Sequence, residues 1–231
     1  MPDPKRPRRR ILAPVDRRLV VQSPPLRTPQ LRALFLGDLL PSTNRAIYLD
    51  SDVFVRRDLG RLDDDAALLF ELDPEAVVAV APRDFKKVCR VVDCPKVADL
   101  GAKPSDLHAF NAGVVVYDLD RWRRLGMREE AHKWILANAY SRIYALGSNP
   151  PFVLAVRSNF ARLDPRWNCM RGTHKQHAHN LRCWDDAYIR HYPGDDKPWH
   201  HQDPLDSLPP AHRPCLSAFL HPTTSSSSSS S

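Results

Sequence analysis

A short apolar run, Ala46-Ile47-Tyr48-Leu49, opens directly onto Asp50-Ser51-Asp52, and this junction limits the folds open to the chain. Four apolar residues bounded by polar ones read as a buried strand, so the two acids stand at its carboxyl end. Carboxylates spaced Asp-x-Asp on a tight turn can share one hard divalent cation. Mg²⁺ and Mn²⁺ favour such oxygen-rich sites, completed by phosphate oxygens and water. Asp50 and Asp52 are therefore candidate metal ligands for chemistry on a nucleoside diphosphate. The competing reading is a turn of solvated acids, in company with Asp58 and Asp63–Asp65.

The segments around this junction alternate between strand and helix patterns. Leu31, Leu34, Phe35 and Leu39 fall at helical spacing, and Leu68–Leu72 reads as a short helical piece. Val77–Ala81 and Ala112–Tyr117 read as strands, the first stopped by Pro82. Asp120 is a candidate cap for a helix running through Trp122 and Trp134 towards Tyr140. Phe152–Val156 reads as extended, residues 83–107 as an irregular surface excursion, and Trp167–Trp184 as loop-rich. The alternation predicts an α/β layered domain.

A length of 231 residues suits one domain with a real core. The formal charge of +7 is concentrated: Met1–Arg32 holds nine Lys/Arg against Asp3 and Asp16, and the remainder balances. The excess belongs to the front end, so a solvated tail is the expectation and a nucleic-acid partner is not. Residues 1–30, rich in Pro and Arg, and residues 206–231, Pro-rich and closing on Ser225–Ser231, are expected to be disordered ends of a domain over 31–205. Cys89, Cys94, Cys169, Cys183 and Cys215 show no paired metal spacing. Free thiols are the first expectation, with Cys89–Cys94 or Cys169–Cys183 bridges open in an oxidising compartment. His174, His177 and His179 read as a solvated loop rather than a metal site.

Two further segments follow in chain order, His108-Ala109-Phe110-Asn111-Ala112-Gly113-Val114-Val115-Val116-Tyr117-Asp118-Leu119-Asp120-Arg121-Trp122 and His191-Tyr192-Pro193-Gly194-Asp195-Asp196-Lys197-Pro198-Trp199. Together with the Asp-Ser-Asp turn they resemble glycosyltransferase family 8, retaining enzymes of the GT-A fold that use a nucleotide sugar and Mn²⁺. Leu146-Gly147-Ser148-Asn149-Pro150-Pro151-Phe152 and Arg166-Trp167-Asn168 narrow the resemblance to the plant galacturonosyltransferase-like subgroup. The match covers roughly residues 31–200.

The resemblance implies a truncated GT-A, Rossmann-like α/β domain with a mixed sheet. It implies a UDP-sugar as donor, Mn²⁺ or Mg²⁺ as the metal, and a cell-wall polysaccharide as acceptor. His191 becomes the third metal ligand beside Asp50 and Asp52, while Lys197 and Gly194 meet the diphosphate. Asn111 and Gly113 match a turn whose amide contacts sugar hydroxyls; alternatively Gly113 permits a tight turn and Asn111 caps it. Asp195 and Asp196 depart from the family pattern and place extra negative charge beside the diphosphate. In relatives a Rossmann-like half precedes the Asp-x-Asp strand and builds much of the base pocket. Only a short Pro/Arg-rich segment stands there in this sequence, which suggests a fragment, a wrongly assigned start or a non-catalytic remnant. The family implies a Golgi location through a membrane anchor. No stretch approaches the roughly 20 apolar residues of a membrane span, so an anchorless chain would stay cytoplasmic.

Overall fold

The computed structural model describes residues 33–82, 88–145, 147, 149–170, 185–194 and 197. The elements in order are helix α1 (Leu36–Leu39), strands β1 (Arg45–Leu49) and β2 (Val53–Val55), helix α2 (Leu59–Leu72), strand β3 (Val78–Pro82), helix α3 (Cys94–Asp99) and strand β4 (Phe110–Asp118). Helices α4 (Leu119–Arg124), α5 (Met127–Ser141) and α6 (Asn149–Val156) follow, then strands β5 (Phe160–Arg162), β6 (Cys169–Met170) and β7 (Ile189–His191).

The strands make two sheets. The larger has the order β1-β4-β3-β5, with β4 antiparallel to both β1 and β3, and β3 parallel to β5. The smaller has the order β2-β7-β6, antiparallel between β2 and β7 and parallel between β6 and β7. The mixed sheets agree with the sequence expectation.

Strand β4 organises the core. Its continuous apolar run Val114–Tyr117 is fully buried, as expected for a strand covered on both faces. Successive side chains point to opposite faces. Val115 and Tyr117 join Val78, Val80, Trp122 and Phe152 in one cluster; Val114 and Val116 join Ala79, Leu62, Ala66 and Phe70 in the other. Helix α2 thus covers one face, and α4, α5 and α6 cover the other. The result is a three-layer α/β/α arrangement.

Several expectations need correction. The helical piece at Leu68–Leu72 is the last third of α2, whose Leu62, Ala66 and Phe70 form a buried stripe at four-residue spacing. Asp58 caps it, accepting from the Gly60 N–H at 2.9 Å. The acids Asp63–Asp65 obscured this helix in the sequence because they make polar contacts beside the buried stripe. Asp63 pairs with Arg45, and Asp65 accepts from the Trp167 indole N–H at 2.9 Å.

The cap of α4 is Asp118, not Asp120: the Asp118 side chain accepts from the Arg121 N–H at 2.9 Å. Gly126, at φ +64°, then separates α4 from α5. Phe152–Val156 is helical, not extended. Pro150 and Pro151 sit in the first turn, where their missing N–H groups cost no intrahelical bond, and every residue from Pro150 to Val156 is buried. An apolar run buried on all sides carries no period, so pattern alone could not separate strand from helix.

The excursion expected over 83–107 is structured where it is described. A 3₁₀ turn at Val88–Arg90 leads into α3, which Asp93 caps through the Lys96 N–H. Val88, Val92, Val97, Ala102 and Leu107 all join the core. A disulfide links Cys89 and Cys94, against the free-thiol expectation. Cys169 is also disulfide-bonded; Cys183, suggested as its partner, lies outside the described residues. So do the three histidines at 174, 177 and 179, the acids Asp195 and Asp196, and both chain ends. Among the described residues no helix is long and apolar enough to cross a membrane.

Candidate metal and diphosphate site

The Asp-Ser-Asp turn crosses from one sheet to the other. Asp50 follows β1, and its N–H donates to the Gly113 carbonyl on β4 at 2.8 Å. Asp52 precedes β2, and its carbonyl accepts from the Tyr192 N–H at 2.9 Å. In the small sheet Val53 pairs with His191, which brings the end of β7 beside Asp52.

Ligand atoms of Asp50, Asp52 and His191 all lie within 4.8 Å of one another. The Nε2 atom of His191 stands 3.1 Å from an Asp52 carboxylate oxygen and 3.8 Å from one of Asp50. The imidazole is 1% exposed, so its direction is set by the protein rather than by solvent. Two oxygen donors and one imidazole nitrogen form a set suited to Mn²⁺, and tolerable for Mg²⁺ if water and phosphate oxygens complete the shell.

The two carboxylates differ in their surroundings. Burial raises the Asp50 pKa above the ordinary value, and the hydrogen bond from the Tyr48 hydroxyl at 2.9 Å offsets only part of this. Burial also opposes ionisation of Asp52, but hydrogen bonds from His191 and Lys197 outweigh it and hold that carboxyl well below the usual range. Burial, followed by the bond to Asp50, pushes the Tyr48 phenol up, so it remains a donor at neutral pH.

The other expected residues fall close by. The Lys197 ammonium contacts the Asp52 carboxylate and the Tyr192 carbonyl. Gly194 lies in the loop between His191 and Lys197 at φ +86°, a conformation that favours glycine, and a Cβ there would meet open space. Gly113 lies within β4, and its reason is close approach. A Cβ there would fall 2.2 Å from His191 Cε1, so the imidazole occupies the space a side chain would fill. The Asn111 side-chain oxygen accepts from the Gly113 N–H at 2.9 Å. The same residue lines a recess beside Asp50, together with Tyr48, Asn149, Leu34 and Phe152.

Three residues were not singled out by the sequence reading. Asn168 reaches His191 Nδ1 at 2.9 Å through its side-chain oxygen, and its amide nitrogen lies 3.2 Å and 3.1 Å from the backbone and side-chain oxygens of Asn111. Asn149 donates to the Phe110 carbonyl at 2.6 Å and accepts from the Ala112 N–H at 3.0 Å, pinning α6 to the start of β4. Tyr48 supplies the hydroxyl on Asp50. The motif Arg166-Trp167-Asn168 was visible in the sequence, but nothing there indicated which side chain its asparagine would meet.

The mixed α/β fold is that of GT-A glycosyltransferases. The structural comparison agrees: the galactosyltransferase LgtC, solved with donor and acceptor sugar analogues, matches with a TM-score of 0.58 at 20% identity, over 82% of this chain and 66% of that one. The bifunctional glycosyltransferase WbbM matches with a TM-score of 0.56 at 18% identity, over 74% of this chain and 32% of that one. At such identities the likeness shows the fold alone.

The family follows from sequence. The model of glycosyl transferase family 8 matches residues 30–203, and the chain belongs to that family. Probable galacturonosyltransferase-like 7 of Arabidopsis thaliana is 36% identical over 192 residues, covering 75% of this chain and 50% of the relative. Probable galacturonosyltransferase-like 6 of the same plant is 35% identical over 187 residues, covering 75% and 52%. The chain spans about half the length of these curated relatives.

Proposed function

We propose that this corner binds a divalent cation, Mn²⁺ or Mg²⁺, on Asp50, Asp52 and His191, and serves a retaining glycosyltransferase acting on a UDP-sugar. The group moved is a hexosyl or hexuronosyl unit, galacturonosyl by analogy with the names of the relatives, and the acceptor is a cell-wall polysaccharide hydroxyl. The observation that carries the reading is the convergence of three ligand groups from two different sheets within 4.8 Å. A bound cation would neutralise charge on the departing nucleoside diphosphate.

This chain's own residues supply the frame. Asp52 stays ionised at neutral pH because His191 and Lys197 hold it so. Lys197 brings a positive charge, and Gly194 leaves room for close approach of a phosphate to the backbone. Asn111 and Asn149 offer amides to the recess beside Asp50, where a sugar hydroxyl would meet them. The disulfides at Cys89–Cys94 and at Cys169 suit an oxidising compartment such as the Golgi lumen.

A second reading, a non-catalytic partner subunit derived from such an enzyme, draws on Lys197. Its ammonium already sits on the Asp52 carboxylate, where it competes with a cation. Calorimetric titration of UDP with and without Mn²⁺, on the parent chain and Asp52→Ala, separates the two. Manganese-dependent binding that disappears in the variant supports the transferase site. A flat titration from folded parent protein would overturn it in favour of the second reading.

A further inference from the structure

We infer that Asn168 is a positioning residue: it keeps a proton on Nδ1 of His191 and so leaves Nε2 as the nitrogen that faces the two carboxylates. The inference rests on the proposed cation site for its consequence, but its geometry stands without a cation.

The argument starts from a group whose role has no alternative. The Gly113 backbone N–H can only donate, and it meets the Asn111 side chain at 2.9 Å. The Asn111 atom there must therefore be the carbonyl oxygen. That oxygen, at 3.1 Å, and the Asn111 backbone carbonyl, at 3.2 Å, both face one end of the Asn168 amide. Both are acceptors, so that end must be the NH₂ group. The other end is then the Asn168 carbonyl oxygen, which lies 2.9 Å from His191 Nδ1. An oxygen that can only accept requires a donor opposite, and Nδ1 must carry hydrogen. Each amide orientation is forced by the one before, back to a peptide N–H of β4.

The alternative tautomer shows why this matters. The Nε2 atom lies 3.1 Å from an Asp52 oxygen, close enough to donate a hydrogen bond. Left to itself, a neutral imidazole would satisfy Asp52 with an Nε2 proton and carry its lone pair on Nδ1. The nitrogen facing the carboxylates would then be blocked, and the free lone pair would point away from them. Asn168 makes that arrangement unfavourable, because it would set a lone pair against an oxygen in a buried space. A proton donated from Nε2 to Asp52 is therefore an additional one, and the one a cation would displace. Only the Nε2 position is left to exchange a proton for a cation. Gly113 completes the device: with no Cβ, it lets the ring come close enough to β4 to reach Asn168.

The test reads the proton directly. Two-bond ¹H–¹⁵N correlation on labelled full-length chain, with His191 assigned by its loss in His191→Gln, should show Nδ1 protonated. Asn168→Asp keeps an acceptor opposite Nδ1 and should retain that proton, although it loses both bonds to Asn111. Asn168→Ala should release the proton from Nδ1 and weaken Mn²⁺ binding, measured by electron paramagnetic resonance, by about 10- to 100-fold. If Asn168 served only as glue to β4, Asp and Ala variants would behave alike, and that result overturns the inference. So does a parent His191 bearing its proton on Nε2 alone, a reading that needs no variant to fold. A parent chain with Nδ1 protonated but no Mn²⁺ binding supports the positioning role and sinks the cation site instead.

Discussion

The two sheets of this molecule divide its work unequally. In the larger, β3 and β4 are buried on both faces and packed beneath three helices and a fourth. In the smaller, strands of two or three residues are tied down by side chains around them. Arg56 donates to the carbonyls of Asp185 and Ala187 at 2.6 Å and 3.2 Å, and the guanidinium groups of Arg57 and Arg166 each lie 4.3 Å from the Tyr188 ring centroid. The large sheet holds the fold by apolar burial. The small one shares in that burial through Ile189 and Met170. It adds hydrogen bonds and cation–π contacts beside its histidine strand, which depend on geometry more than on area. Damage to the first should therefore appear as lost stability, and damage around the second as lost binding.

The comparison can be broken most forcefully at Phe152, whose ring meets those of Phe110, Tyr117 and Trp122. Phe152→Ala should cost about 3–5 kcal/mol in urea denaturation. A loss under about 1 kcal/mol would mean that the large sheet is not the stabilising one. Gly113→Ala comes next, because its methyl group would need the space of the His191 ring. It should cost about 1–3 kcal/mol by the same assay and weaken Mn²⁺ binding at least tenfold. Unchanged Mn²⁺ affinity would separate His191 from the site.

Acidification sharpens the contrast without a mutation. Asp50 has a raised native pKa, so it takes up a proton at a higher pH than an ordinary carboxylate would. Asp52 has a depressed one, so its contribution to stability is complete above the ordinary value of ~3.9 and is lost only as pH falls below it. As pH falls from neutral towards the ordinary carboxylate range, Mn²⁺ affinity should decline first, because the metal competes with protons for its ligands. The metal-free chain, which gains stability as Asp50 takes up its proton, should keep its thermal midpoint. Parallel decline of both would contradict the separation. The smallest effect is expected at Asp58→Ala, which removes the cap of α2 and none of the three ligand groups. About 1 kcal/mol of stability should go, with Mn²⁺ affinity intact.

The sequence reading reached the parts of this molecule whose chemistry is local. Asp50 and Asp52 were legible because a strand and a turn of acids are neighbours in the chain. His191 and Lys197 were found by resemblance to the family, since nothing local to them indicates a ligand. The strand Ala112–Tyr117 was clear from five apolar residues interrupted only by Gly113. Asn168 and Tyr48 were not legible, because their roles exist only through partners 23 residues and two residues away whose side-chain directions the fold decides. Helix α6 failed for a different reason: burial on every side removes the periodic signal that distinguishes helix from strand. The bridge between Cys89 and Cys94 is not legible, since a spacing of five residues fits both a free pair and a closed one.

Because the Asp-Ser-Asp turn steps between sheets, its two carboxylates hang from different sheets that share one apolar cluster. Whatever grips both acts as a rivet through a seam. An ion held at the corner would stitch the end of β1 to the β2–β7 pair through side chains, at a point where the backbone itself makes only one three-residue crossing.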